Sequence, residues 1–111
     1  MNIVVTGASR GIGFELVKQF LNAGHTVFCL TRNLEPLKTI THSNLKSMAT
    51  DLNSQESMNS AVTFIKNEVT QIDCIINNAG LLVNKPYETV SYTELQKVYQ
   101  VNVFAPYYLT Q

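Results

Sequence analysis

The chain has 111 residues, eight basic and eight acidic side chains, no net charge and 45% hydrophobic content, which excludes a disordered tail and suits a single domain over residues 1–111. Without a basic run or an apolar stretch near the ~20 residues of a membrane span, neither nucleic acid nor membrane is expected as a partner. The two cysteines, Cys29 and Cys74, make neither a disulfide framework nor a metal-ligand pattern, so no metal is expected and the default is a reduced, cytoplasmic protein.

In chain order, Asn2 to Thr6 reads as a strand running into a glycine-rich turn, Gly7-Ala8-Ser9-Arg10-Gly11-Ile12-Gly13. Ile12, Leu16, Val17, Phe20 and Leu21 then recur at helical spacing, and Asn22-Ala23-Gly24 stops that helix. His25 to Leu30 is a second strand, rich in β-branched and aromatic residues. Leu34 to Thr39 holds Pro36 and reads as one helical turn. Leu45 to Thr50 is a weaker third strand. A helix follows on Met58, Ala61, Val62, Ile65 and Val69, with Asn53 and Glu56 spaced as a capping box. Ile72 to Ile76 is a fourth strand, and Ser91 with Glu94 caps a further helix. Strands alternating with helices predict right-handed βαβ units and a parallel sheet. The apolar runs of the first and fourth strands predict strands covered on both faces. Cys29 and Cys74 then fall on strands flanking the first, about two 4.8 Å spacings apart, too far for a disulfide. The final residues, Phe104 to Gln111, carry no glycine or basic stop signal, so the chain is expected to belong to something longer.

The glycine turn sits where a strand meets a helix, the place at which a doubly wound fold holds a pyrophosphate. Gly7 permits the tight turn, Gly11 admits a ligand close to the backbone, and Gly13 lets the helix approach the sheet. The spacing is G-x-x-x-G-x-G. It resembles the cofactor motif of the short-chain dehydrogenase/reductase family, and three further stretches match in order: Asp51-Leu52, Asn77-Asn78-Ala79-Gly80, and Asn102 within Val101-Asn102-Val103. The resemblance implies an α/β, Rossmann-type doubly wound sheet, here partial, with strand order 3-2-1-4. It implies that Gly7, Ser9, Arg10, Gly11, Ile12 and Gly13 form the phosphate turn, that Asp51 accepts from adenine, and that Leu52 touches the ring. It also implies that Asn77 braces neighbouring strands, that Asn78, Ala79 and Gly80 line ribose and nicotinamide, and that Asn102 is a catalytic asparagine in a proton relay. Asp51 is open to a second reading as an Asx-turn residue.

The tip of the second strand reads Leu30-Thr31-Arg32-Asn33, with no carboxylate before Glu35. An NAD-preferring member carries an acid there to grip the ribose 2′-hydroxyl. Arg32 instead offers a charged fork for a 2′-phosphate, with Arg10 and Ser9 opposite, and these are the only two arginines of the chain. NADP is therefore expected over NAD. None of Tyr87, Tyr92, Tyr99 or Tyr107 has a lysine four residues on, and Tyr108 has no residue there at all. The family's Tyr-x-x-x-Lys proton donor is thus absent from these residues, and the 111-residue chain alone is expected to be inactive. The implied function is hydride transfer between nicotinamide and an alcohol or carbonyl substrate, in a homo-oligomer. The alternative is a non-catalytic dinucleotide-binding sensor or an interaction module, such as one packing Tyr107, Tyr108 and Leu109 against a partner chain.

Overall fold

A strand covered on both faces must send alternate side chains into two different layers, and the first strand does so. The computed structural model describes residues 1–81 and 85–111. Its strands β1 (Asn2–Thr6), β2 (Thr26–Thr31), β3 (Leu45–Ala49) and β4 (Cys74–Ile76) form one sheet in the order β3-β2-β1-β4. Every pairing is parallel, as the alternation of strands and helices predicts. On one face Ile3, Val5, Val27 and Cys29 pack with Val17 and Leu21 of helix α1 (Gly11–Asn22). On the other, Val4, Phe28 and Leu30 pack with Ala61 and Ile65 of helix α2 (Gln55–Glu68). A third cluster joins Leu52 and Met58 to Ala105, with Ala79 and Val101 against it. It anchors a long C-terminal helix of three parts: α3 (Tyr92–Tyr99), a π-helical turn (Gln100–Phe104) and α4 (Ala105–Thr110).

Local chemistry sets the boundaries, and several differ from the sequence expectation. β2 starts at Thr26 and runs to Thr31, because His25 is used at the helix exit: its N–H donates to Phe20 O (3.1 Å) while Gly24 N–H donates to Leu21 O (3.0 Å), with Gly24 at φ 89°. That paired closure of the helix end needs a left-handed residue, which glycine supplies. The cap of α2 is Ser54, whose side chain accepts from Ser57 N–H, and not Asn53. Asn53 N–H is itself bound by the Asp51 carboxylate. Ser91 caps α3 as expected, accepting from Glu94 N–H. Ile12 is 74% exposed, so the buried stripe of α1 is Gly13, Val17 and Leu21. β4 is shorter than expected. Asp73 enters the sheet edge through Asn2, donating its N–H to Asn2 O (2.9 Å) and accepting Asn2 N–H on its carboxylate (2.7 Å). The hydrogen bond from Asn2 is the main reason the Asp73 carboxyl lies below the usual carboxylate range.

The three β4 residues are only half-buried, against near-complete burial on β1, because among the described residues no strand lies beyond β4. Cys74 shares that partial exposure, whereas Cys29 on β2 is buried. The two thiols are free and flank β1 on opposite sides, opposite Ile3 and Val5. Among the described residues no helix is long and apolar enough to cross a membrane.

Phe28 is fully buried and meets Phe64 edge-on at 6.2 Å between ring centroids. Phe28→Ala should lower unfolding free energy by about 3–5 kcal/mol in denaturant titrations. Burial pushes the Cys29 thiol up to about 12, so it stays protonated and shielded. Thiol alkylation of the native protein near neutral pH should leave Cys29 unmodified, as read by peptide mass spectrometry.

Candidate cofactor site

The site is built where β1 and β4 end side by side and their following turns meet. Gly7 N–H donates to Leu30 O (3.2 Å), so the chain leaves β1 along β2. Its φ of 63° already favours glycine, and a Cβ there would stand 2.8 Å from the Ala79 Cα. Gly13 is tighter still: a Cβ would lie 2.5 Å from both Gly7 O and Asn78 Nδ2. Helix, first turn and fourth turn therefore share a gap in which no side chain fits. Gly11 differs. At φ 61° a Cβ would meet nothing within 4 Å, so its backbone faces open space.

Two hydrogen bonds close the gap. Asn78 Nδ2 donates to Gly7 O (3.0 Å), and Ala79 N–H donates to the Thr6 hydroxyl (3.1 Å). The sequence reading gave the bracing role to Asn77, and the structure gives it to Asn78. Asn78 N–H donates to Ile76 O (3.0 Å) in a tight turn, which swings the second asparagine toward β1 and leaves Asn77 exposed. Thr6, 1% exposed, was missed as a separate site residue; a hydroxyl ending an otherwise apolar buried strand was the available signal.

A cavity of about 700 Å³ opens over these turns, within the usual range for ligand pockets. Gly7, Ser9, Arg10, Gly11, Arg32, Asp51, Leu52, Asn78, Ala79 and Gly80, all named in the sequence analysis, line it. Gly13 lies beneath it as a packing residue, and the Ile12 side chain turns to solvent, so Ile12 has only its helix-start N–H to offer a ligand. Thr31, Asn33, Leu81 and Val101 also line the cavity and were not anticipated. Helix α1 opens on this space with no side-chain cap and no acidic residue in its first turn. Its positive dipole end therefore faces the cavity unneutralised.

The rim carries the charge. Arg10 and Arg32 are exposed, and neither forms an ion pair among the described residues. Asp51 uses one carboxylate oxygen to accept Asn53 N–H (2.9 Å), the Asx-turn anticipated as its second reading. A carboxylate retains further acceptor sites, so this bond and a ligand amine are compatible.

Asn102 sits in the π-turn and holds Leu81 at both backbone atoms, accepting from its N–H and donating to its carbonyl, each at 2.8 Å. Pro106, four residues on, has no N–H, so the Asn102 carbonyl lacks its α-helical donor. Ala105 N–H reaches back to Gln100 O, the wider bond of a π-turn at this proline. Gln100 Nε2 donates to Leu52 O (3.0 Å), a tie that sequence spacing did not indicate.

Because Gly13 has no room for a methyl group, Gly13→Ala should displace Asn78 and weaken dinucleotide binding at least tenfold, about 1.4 kcal/mol, while Gly24→Ala, strained by its left-handed φ but away from the cavity, should lower stability and leave binding unchanged. Isothermal titration of both variants checks this.

The sequence profile of the short chain dehydrogenases matches residues 1–111. The chain is 34% identical to an NADPH-dependent 3-dehydrocapnine reductase of Ornithobacterium rhinotracheale, over 97% of this chain and 40% of that protein. It superposes on a 4-hydroxyisoleucine dehydrogenase complexed with NADH at a TM-score of 0.91 and 32% identity, covering 98% of this chain and 46% of the other. An NADPH-bound carbonyl reductase from chicken fatty liver gives 0.91 at 25% identity, covering 99% and 48%. The chain spans less than half the length of the curated relatives it matches. With the glycine turn, the paired turns and the strand order in place, the chain belongs to the short-chain dehydrogenase/reductase family.

Proposed function

We propose that these residues form the cofactor half of an NADP(H)-dependent oxidoreductase that moves a hydride between nicotinamide and an alcohol or carbonyl substrate. One observation carries the cofactor choice: Arg10 and Arg32 both line the cavity without ion-pair partners among the described residues, while the tip of β2 offers Thr31 and Asn33 in place of a carboxylate. A guanidinium recognises a phosphate with two parallel hydrogen bonds and a permanent charge. The cavity fits such a ligand in a further respect. Gly11 leaves open space where any other residue would place a Cβ, beside the uncapped start of α1.

When bound, the nicotinamide carries the hydride. The chain's own residues then bind and orient. Gly7 and Gly11 with the first turn of α1 hold the pyrophosphate, Ser9, Arg10 and Arg32 read the 2′-phosphate, and Asp51 with Leu52 takes the adenine. Asn78 fixes the Gly7 carbonyl, so Ala79 and Gly80 present backbone rather than side chain to the ribose and nicotinamide. Asn102 keeps Leu81 in place on the same bank. Its carbonyl, freed of an α-helical donor by Pro106, is the group we assign to the proton relay. The proton donor itself, a Tyr-x-x-x-Lys pair, has no counterpart in residues 1–111.

The same reading takes the protein as a cytoplasmic homo-oligomer. Free Cys29 and Cys74 are in keeping with a reducing compartment. Tyr92, Leu95, Tyr99, Phe104 and Tyr107 expose apolar surface along the C-terminal helix that a second subunit would cover.

Fluorescence titration of the full-length protein at fixed ionic strength tests the cofactor assignment. NADPH should bind more tightly than NADH, and Arg32→Ala and Arg10→Ala should each weaken NADPH about 10- to 100-fold, the worth of a hydrogen bond to a charged group, with NADH little changed. Equal affinity of the wild-type protein for both cofactors would defeat it.

A further inference from the structure

Gln100 reaches across 48 residues of sequence to donate from Nε2 to the backbone carbonyl of Leu52. Leu52 is 8% exposed and packed among Met58 and Ala105, and its carbonyl takes this partly buried hydrogen bond from the Gln100 amide. Thr50 N–H donates to Thr31 O (2.9 Å), which ties the start of this loop to β2, and the hydrogen bonds that follow are local. Asp51 N–H donates to the Ser57 hydroxyl, Asn53 N–H to the Asp51 carboxylate, and Ser54 N–H to Asp51 O. They shape the turn into α2 but do not locate it against β4 and the opposite bank of the cavity.

The π-turn does that. Gln100 holds Leu52, Val101 packs with Ala79 against the cluster of Leu52, Met58 and Ala105, and Asn102 holds Leu81. Three consecutive residues thus touch both banks. Gln100 does not line the cofactor cavity itself; it lines an adjoining groove that shares Arg32 and Asp51 with it. Its link to the cavity lining is the hydrogen bond to Leu52.

We propose that Gln100 is a positioning residue for adenine recognition: its hydrogen bond to Leu52 sets Asp51 and Leu52 at the distance from Ala79 and Leu81 that one dinucleotide must span. This rests on the cofactor reading above, in which Asp51 and Leu52 take the adenine. Loss of the donor leaves the Leu52 carbonyl unsatisfied and lets the adenine loop drift from the opposite bank, while Asn102 continues to hold Leu81.

The test separates the two halves of the ligand in the full-length protein. Adenosine 2′,5′-bisphosphate probes the adenine bank and nicotinamide mononucleotide the other. Gln100→Met, of similar length without a donor, should weaken the bisphosphate roughly three- to tenfold, the worth of one hydrogen bond, and leave the mononucleotide unchanged. Gln100→Lys, which keeps a donor, should restore wild-type affinity for the bisphosphate. Unchanged bisphosphate binding by Gln100→Met would overturn the inference alone. Equal weakening of both probes, the mark of a merely structural role, would overturn it too. Failure of the wild-type protein to bind the bisphosphate would remove the cofactor reading along with it.

Discussion

The site depends on the contact between the turn after β1 and the turn after β4. Gly7, Gly13 and Asn78 meet there with no space for another carbon atom, and the Asn78 amide and Thr6 hydroxyl each bind the opposite turn. Each hydrogen bond contributes only about 0.5–1.5 kcal/mol net. The steric requirement is harder, because a Cβ at 2.5 Å from backbone oxygen cannot be accommodated without moving the helix. The approach of α1 to the sheet, and so the position of its positive end over the cavity, follows from two missing side chains.

The rest of the sheet serves that contact by strand parity. Ile3 and Val5 face α1, Val4 faces α2, and β2 repeats the division through Val27 and Cys29 against Phe28 and Leu30. Both layers therefore hold β1 rigidly up to Thr6, where the polar site begins. Burial falls away at β4, and a cavity of about 800 Å³ lies along its flank, lined by Val62, Ile72, Ile75 and Tyr108 among others. The C-terminal helix crosses above the strand ends and is secured at several points: Gln100 on Leu52, Asn102 on Leu81, and the Tyr108 hydroxyl on Asn59 of α2. It works as a crosspiece over the crevice as well as a packing element, and its widened turn places consecutive residues on opposite banks.

What was legible in the sequence was local or periodic. The apolar run of β1, the 3–4 spacing in α1 and α2, the glycine exit of α1 and the Ser91 cap each depend on neighbours within about four residues. Errors arose where local patterns tie. Asn53 and Ser54 are both good caps, and the Asx-turn at Asp51 consumed the N–H of the former. Asn77 and Asn78 are chemically identical, and only the sharp turn at Ile76 decides which one faces β1. Ile12 fits the apolar period of α1, yet it is Gly13, the next residue, that meets the turns after β1 and β4, and the Ile12 side chain is left in solvent. Gln100 was invisible because a single amide on a helix has no partner until the fold brings one.

The sequence by itself determined the parallel βαβ order, the glycine turn at a strand-to-helix junction, the family, and the pairing of Arg10 with Arg32 in place of an acid at the β2 tip. These follow from residue type and short-range spacing, which survive without coordinates. Only the tertiary structure decided that Asn78 rather than Asn77 joins the turns, that Asn102 clasps Leu81, and that Gln100 holds Leu52. Those bonds join residues 71, 21 and 48 positions apart. Nothing in the local chain selects such partners, because their geometry exists only after the strands have paired.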